Sequence, residues 1–117
     1  MGGFEVPEFF RCNYDEVISS RLLKSPYLTH VDVRIDDLVE KFGTPEQSDY
    51  KAEYLWSFSS DDDKIKGVFS ISVLSMLSTV MGSETSKATL EIVYVDGVGF
   101  VTAAEKVMGF VGSHAYA

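Results

Sequence analysis

Ile35-Asp36-Asp37-Leu38-Val39-Glu40-Lys41-Phe42-Gly43-Thr44-Pro45, followed after six residues by Ala52-Glu53-Tyr54-Leu55-Trp56-Ser57-Phe58, decides the fold. Leu38, Val39 and Phe42 make one apolar stripe at helical spacing, and Asp36 stands where a side-chain cap belongs. Gly43 can take the left-handed conformation that closes a helix, and Pro45 blocks its continuation. Tyr54, Trp56 and Phe58 then alternate, which reads as a strand with an aromatic face. A short helix, an enforced stop and the first strand of a sheet follow one another in 24 residues, numbers 35–58.

Outward from this stretch the pattern continues. Upstream, Val31, Val33 and Ile35 alternate with His30, Asp32 and Arg34, giving a half-buried strand over Thr29 to Ile35. Before it, Val17, Ile18, Leu22 and Leu23 recur at helical spacing, with Asn13 or Asp15 as cap and Ser25-Pro26 as the stop. Residues 1–13 lack periodicity; Phe4, Val6, Phe9 and Phe10 around Pro7 suggest an N-terminal arm laid on the body.

Downstream, Ser59 to Lys64 is a turn, and Ile65 to Val73 returns as a strand with Phe69, Ile71 and Val73 in phase, so the two strands form an antiparallel hairpin. Leu74 to Met81 fits a helix or a strand equally well. Gly82 to Lys87 is a loop, Ala88 to Val95 a strand with Leu90, Ile92 and Tyr94 on one side, and Asp96-Gly97 a turn. Thr102 to Val111 is a terminal helix, with Thr102 and Glu105 as a capping box, Ala103, Val107 and Phe110 inward, and Gly112 as terminator. Residues 113–117 read as a frayed tail. The expectation is α+β: one small domain over residues 1–117, with a mainly antiparallel sheet of four to five strands and helices on one face.

With 117 residues and 45% hydrophobic content, the chain suits a single globular core and not disorder. The longest apolar run, Val68 to Met81, is broken by Ser70, Ser72, Ser75, Ser78 and Thr79, so no membrane span is expected. The first residues carry no basic region and no long apolar region, so no signal peptide is read. Gly2 lacks the Ser or Thr at position 6 that myristoylation wants, since Val6 stands there. Cys12 is the single cysteine, which excludes an intramolecular disulfide and suits a reducing, cytoplasmic compartment.

The net charge of −8 is concentrated. Residues 32–63 hold ten acids against Arg34, Lys41 and Lys51, a net of −7, while the flanking segments are near neutral. Without clustered Lys and Arg, direct nucleic-acid binding is not expected. A basic protein surface is the electrostatic complement, and solubility is the simpler use of the same charge.

Motifs for chemistry are scarce. His30 and His114 sit in no metal-binding pattern, and His30 with Asp32 reads first as an exposed strand face. Asp61-Asp62-Asp63 fails the calcium-loop spacing, since Lys66 and Ser72 fall where Gly and Glu are needed; a solvated hairpin tip explains it. Gly97-Val98-Gly99 before a helix lacks the third glycine of a dinucleotide fingerprint and has no phosphate-loop lysine. No serine sits in a nucleophile elbow. Tyr50, Tyr54, Trp56 and Phe58 can make a binding platform, though core packing accounts for the in-phase three.

Leu38, Phe42, Gly43, Pro45, Lys51, Glu53, Trp56, Phe69 and Ile71 together resemble a pattern in small uncharacterised proteins of phages and large DNA viruses: a helix ending in Phe-Gly-x-Pro, then a Trp strand and a hairpin return. The resemblance covers residues 36–71. This chain departs from it at Ser72-Val73, where the family runs into a Tyr-Asp pair and a second Trp strand. The helix–Gly–x–Pro–strand pattern is also similar to modules of the outer-membrane assembly lipoprotein and beta-lactamase-inhibitor-protein type, which are secreted. Neither resemblance implies catalytic residues.

The functional expectation is a small acidic protein-binding module and not an enzyme, with no cofactor and no metal: a viral or mobile-element accessory or inhibitor protein acting on a basic surface of a larger partner. Asp36, Asp37, Glu40, Asp61, Asp62 and Asp63 would carry the electrostatics, and Tyr50 and Tyr54 would anchor. The alternatives are a homo-oligomer subunit using Val68 to Met81, and a small-ligand-binding or hydrolytic protein with a pocket near Gly97-Val98-Gly99.

Overall fold

The computed structural model describes residues 7–21, 27–48, 52–78 and 85–112. Ten elements follow in order: β1 (Phe9–Cys12), α1 (Tyr14–Ser19), β2 (Tyr27–Arg34), α2 (Ile35–Phe42), β3 (Glu46–Ser48), β4 (Glu53–Ser60), β5 (Ile65–Ser72), α3 (Val73–Ser78), β6 (Thr85–Val95) and α4 (Phe100–Val111). The fold is α+β, with one six-stranded antiparallel sheet.

The sheet order is β1-β4-β5-β6-β2, and β3 also pairs with β4. β1 and β3 share one edge of β4, β1 along Ser57 to Ser60 and β3 along Glu53 to Leu55. The expected four to five strands thus become six, because the N-terminal arm and Glu46–Ser48 are strands too: Phe9 faces Ser60, Cys12 faces Ser57 and Glu46 faces Leu55.

One sheet face carries the principal core. Trp56, Phe58, Phe69, Leu90 and Ile92 are fully buried there, covered by Leu38 and Phe42 of α2 and by Ala103, Ala104, Val107, Met108 and Val111 of α4. Rings interlock: Phe58 stands edge-on to Phe9 at 5.6 Å and stacks on Phe42 at 5.6 Å. The opposite face has a second, smaller core, where Val17 of α1 packs on Leu55, Val68 and Val93. The helices therefore do not lie on one face as expected. α1 covers the back of the sheet, because Leu55 and Val68 alternate with the aromatic positions and need cover of their own.

Local chemistry explains most boundaries. Asn13 caps α1, its side-chain oxygen accepting from the Asp15 N–H at 2.9 Å. α2 begins at Ile35 with Arg34 as its uncapped flank, so Asp36 is not the cap expected; it sits in the first turn, where its charge favours the helix dipole. Val39 is 42% exposed, at the margin of the stripe. Gly43 ends the helix at φ 81°, its N–H donating to the Val39 carbonyl.

The ambiguous Leu74 to Met81 segment is helical over Val73–Ser78, and residues 79–81 lie outside the described residues. Ser72 starts it: its hydroxyl accepts from the Ser75 N–H at 3.1 Å, and Val73 belongs to the helix instead of the strand. β6 begins at Thr85, within the stretch read as a loop. α4 begins at Phe100, with Gly99 as flank and no side-chain cap; Thr102 is exposed inside the helix. The extra turn is held by packing, with Phe100 stacked on Tyr27 at 6.3 Å.

Candidate functional site

The β4–β5 hairpin tip is built by two serines and the acids that follow them. Ser60 is buried. Its hydroxyl accepts from the N–H groups of Lys64 and Ile65, both at 3.0 Å, and donates to the Asp62 carboxylate at 2.7 Å. The same carboxylate accepts the Lys64 N–H at 3.1 Å. These bonds hold the Asp62 carboxyl below its ordinary range, the Ser60 hydroxyl first among them. Asp63 takes φ 60°, and its carboxylate accepts the Ser59 hydroxyl at 3.3 Å. The tip is a hydrogen-bonded turn and not merely a solvated run of acids.

Two further elements converge on it. The Asp61 N–H donates to the Glu8 carbonyl at 2.8 Å, and the Asp96 N–H donates to the Lys64 carbonyl at 2.8 Å. The result is an open hollow of about 550 Å³ at this end of the sheet, lined by Glu8, Asp61, Asp62 and Asp96, with Lys64, Lys106 and the apolar Pro7, Ile65 and Val98. Four carboxylates and two ammonium groups leave the lining net negative.

The expected site residues do not form one patch. Asp61, Asp62 and Asp63 are all exposed at the tip, though Asp63 is not among the residues lining the hollow. Asp36 and Glu40 are exposed and Asp37 half-buried, all on α2, which starts just after Arg34. Arg34 pairs with Thr85, the first residue of β6, whereas Ile65 beside the tip pairs with Val95, the last. β6 is eleven residues long from one of those ends to the other, so the start of α2 and the tip stand roughly 30 Å apart. Tyr54 is half-buried and packs against the principal core. Tyr50 lies outside the described residues.

Glu8 and Asp96 were not singled out from sequence. Asp96 had a signal: in a β5–β6 hairpin the end of β6 must fall beside the start of β5. Glu8 had none, since nothing in Pro7 to Cys12 marks a strand.

Other candidates resolve differently. Of Gly97-Val98-Gly99, Val98 alone lines the hollow, and its lining residues include no histidine, serine or cysteine. His30 and Asp32 each meet a cross-strand neighbour on β6: His30 Nδ1 lies 3.4 Å from Thr89 Oγ1, and Lys87 Nζ lies 3.4 Å from an Asp32 carboxylate oxygen. Cys12 is half-buried on the α1 side, and burial first, then the Glu16 charge, raise its thiol pKa. A reactive thiolate is therefore disfavoured. Among the described residues no group of three or more His, Cys, Asp or Glu is placed to hold a metal ion, and no helix is long and apolar enough to cross a membrane.

No family model, no curated protein and no solved structure matches the chain.

Proposed function

We propose that this protein is a small acidic protein-binding module that docks a basic segment of a larger partner into the hollow at the β4–β5 tip. The observation that carries the reading is the convergence of Glu8, Asp61, Asp62 and Asp96, from three separate parts of the chain, around one concavity. Solubility alone needs no such convergence. A net-negative hollow with apolar patches at Pro7, Ile65 and Val98 suits a lysine or arginine side chain carried on a loop. The Phe-Gly-x-Pro and Trp-strand resemblance is what suggests a viral or mobile-element accessory or inhibitor role.

The test is a tagged pulldown at low and at physiological salt, run with the wild-type chain and with a Glu8→Gln, Asp61→Asn, Asp96→Asn variant. Asp62 is left intact because it holds the turn. A basic protein kept by the wild type and lost by the variant supports the reading. Identical retained proteins for both would overturn it.

A second reading uses the same hollow for a small cationic ligand. Its volume of about 550 Å³ falls within the range of ligand pockets. Calorimetric titration with simple diamines separates the two: heats with diamines favour the ligand reading, and their absence beside a retained protein favours the docking one.

A further inference from the structure

The two edges of the sheet are finished very differently. On one side β4 is covered by two short strands, β1 of four residues and β3 of three, which leave little continuous edge. On the other side β2 runs eight residues, Tyr27–Arg34, with no strand on its outer side among the described residues. A long, regular edge strand is a template for another strand.

The side chains of β2 say which strand fits. A second copy of this chain pairing with β2 about a two-fold axis must keep the core face on the core face. Residues of the same parity must then stand opposite one another. Four such registers give an overlap of five residues or more across Tyr27–Arg34. Centring on Thr29 overlaps only Tyr27 to Val31 and sets Leu28 against His30. Centring on Asp32 overlaps only five residues and sets Asp32 against Asp32, like charge on like. Centring on His30 sets Leu28 against the short Asp32 carboxylate, which then has no donor opposite it. Centring on Val31 overlaps Leu28 to Arg34 and sets His30 against Asp32 twice, Thr29 against Val33 twice, Leu28 against the aliphatic stem of Arg34 twice, and Val31 against itself.

We propose that the protein forms a two-fold dimer through antiparallel β2–β2 pairing centred on Val31, making one sheet continuous through both copies. An imidazole facing a carboxylate and β-branched cross-strand pairs are combinations that stabilise such a ladder. The overall charge of −8 does not oppose it locally, since β2 carries Asp32 against Arg34, with Lys87 beside Asp32. None of the residues lining the acidic hollow belongs to β2, so this inference is independent of the docking role.

Two measurements test it together. Sedimentation equilibrium up to about 0.5 mM would reveal even a weak dimer with a Kd of ~100 µM. Register is read by cross-linking in a Cys12→Ser background, comparing H30C alone, D32C alone, and the two mixed. Positions 30 and 32 are both exposed, so these variants should fold. In the Val31-centred register only unlike cysteines stand within disulfide reach. A concentration-dependent dimer, with the mixture cross-linking at least several-fold more than either variant alone, is the expected result. A monomer at every concentration, or equal cross-linking in all three samples, would overturn the proposal.

Discussion

Trp56 donates its indole N–H to the carbonyl of Gly43 at 2.9 Å, tying the middle of β4 to the residue that ends α2. The helix, its glycine stop and the aromatic strand are therefore one unit, held by a bond between its two most distinctive residues. Arg11 of β1 completes the lock: its guanidinium donates to the carbonyls of Phe42 and Thr44 and lies 3.6 Å from Glu46. A cation at the end of α2 also favours the helix dipole. Trp56→Phe keeps a ring in the core but loses the indole bond and leaves a void at a fully buried position. The expected cost is about 2–4 kcal/mol by urea denaturation. A loss below about 1 kcal/mol would show that this bond does not hold the unit together.

Gly67 is the one described glycine with no room for a side chain. A Cβ there would collide with the Glu91 carbonyl oxygen and come within 2.8 Å of the Phe58 ring. The neighbours cannot yield, because Phe58 is wedged among Phe9, Phe42 and Phe69 and the carbonyl belongs to β6. Gly67→Ala should cost about 2–4 kcal/mol through displaced core packing. Thermal unfolding of the variant beside Gly109→Ala, where a Cβ meets open space, checks this. Gly109→Ala should raise the midpoint slightly, since alanine is the better helix former.

The same position shows where sequence reading runs out. Alternation in Ala88 to Val95 put Leu90, Ile92 and Tyr94 on one side. The structure has a bulge between Lys66 and Gly67, so Gly67 pairs with Ile92 and Lys66 with Tyr94. Past the bulge the phase shifts: Tyr94 joins the α1 side and Val95 packs on the principal core. Period-two patterns carry no sign of an inserted residue, so the slip was invisible. The Ile35 to Phe58 module was legible because its signals agree: stripe, glycine, proline and aromatic alternation. β1 was not, since Phe9-Phe10-Arg11-Cys12 alternates in no clear way and becomes a strand only because β4 offers an edge. The acidic hollow was legible in its charges and not in its shape, which depends on that same strand bringing Glu8 to the tip.

Ser57 is fully buried under α1, and its hydroxyl has no hydrogen-bond partner among the described residues. An unpaired buried hydroxyl is a cost that alanine removes at the loss of little volume. Ser57→Ala should therefore leave stability unchanged or raise it by about 1 kcal/mol, against the usual trend for core substitutions. Chemical denaturation of the two proteins side by side decides it. A loss above about 1 kcal/mol would mean that the hydroxyl has a partner in solution, such as an ordered water.

Asp62 links the tip to pH. Its carboxyl is held below the ordinary range by the Ser60 hydroxyl and, after the opposing cost of desolvation, by the Lys64 N–H. A group whose folded pKa is depressed stabilises the fold above its unfolded value, about 3.9 for Asp, and that contribution is lost as pH falls through the folded pKa. The group is exposed, so solvent screening keeps the contribution small. Asp62→Ala should therefore unfold at a lower denaturant concentration than the wild type, by a margin that is constant above about pH 5 and shrinks steadily towards pH 2. Asp61→Ala serves as the reference, because it removes the same charge from the same tip without the bonds to Ser60 and Lys64. Matched pH profiles for the two variants would assign the effect to the general field of the acids. A separation confined to low pH assigns it to the turn that Asp62 closes.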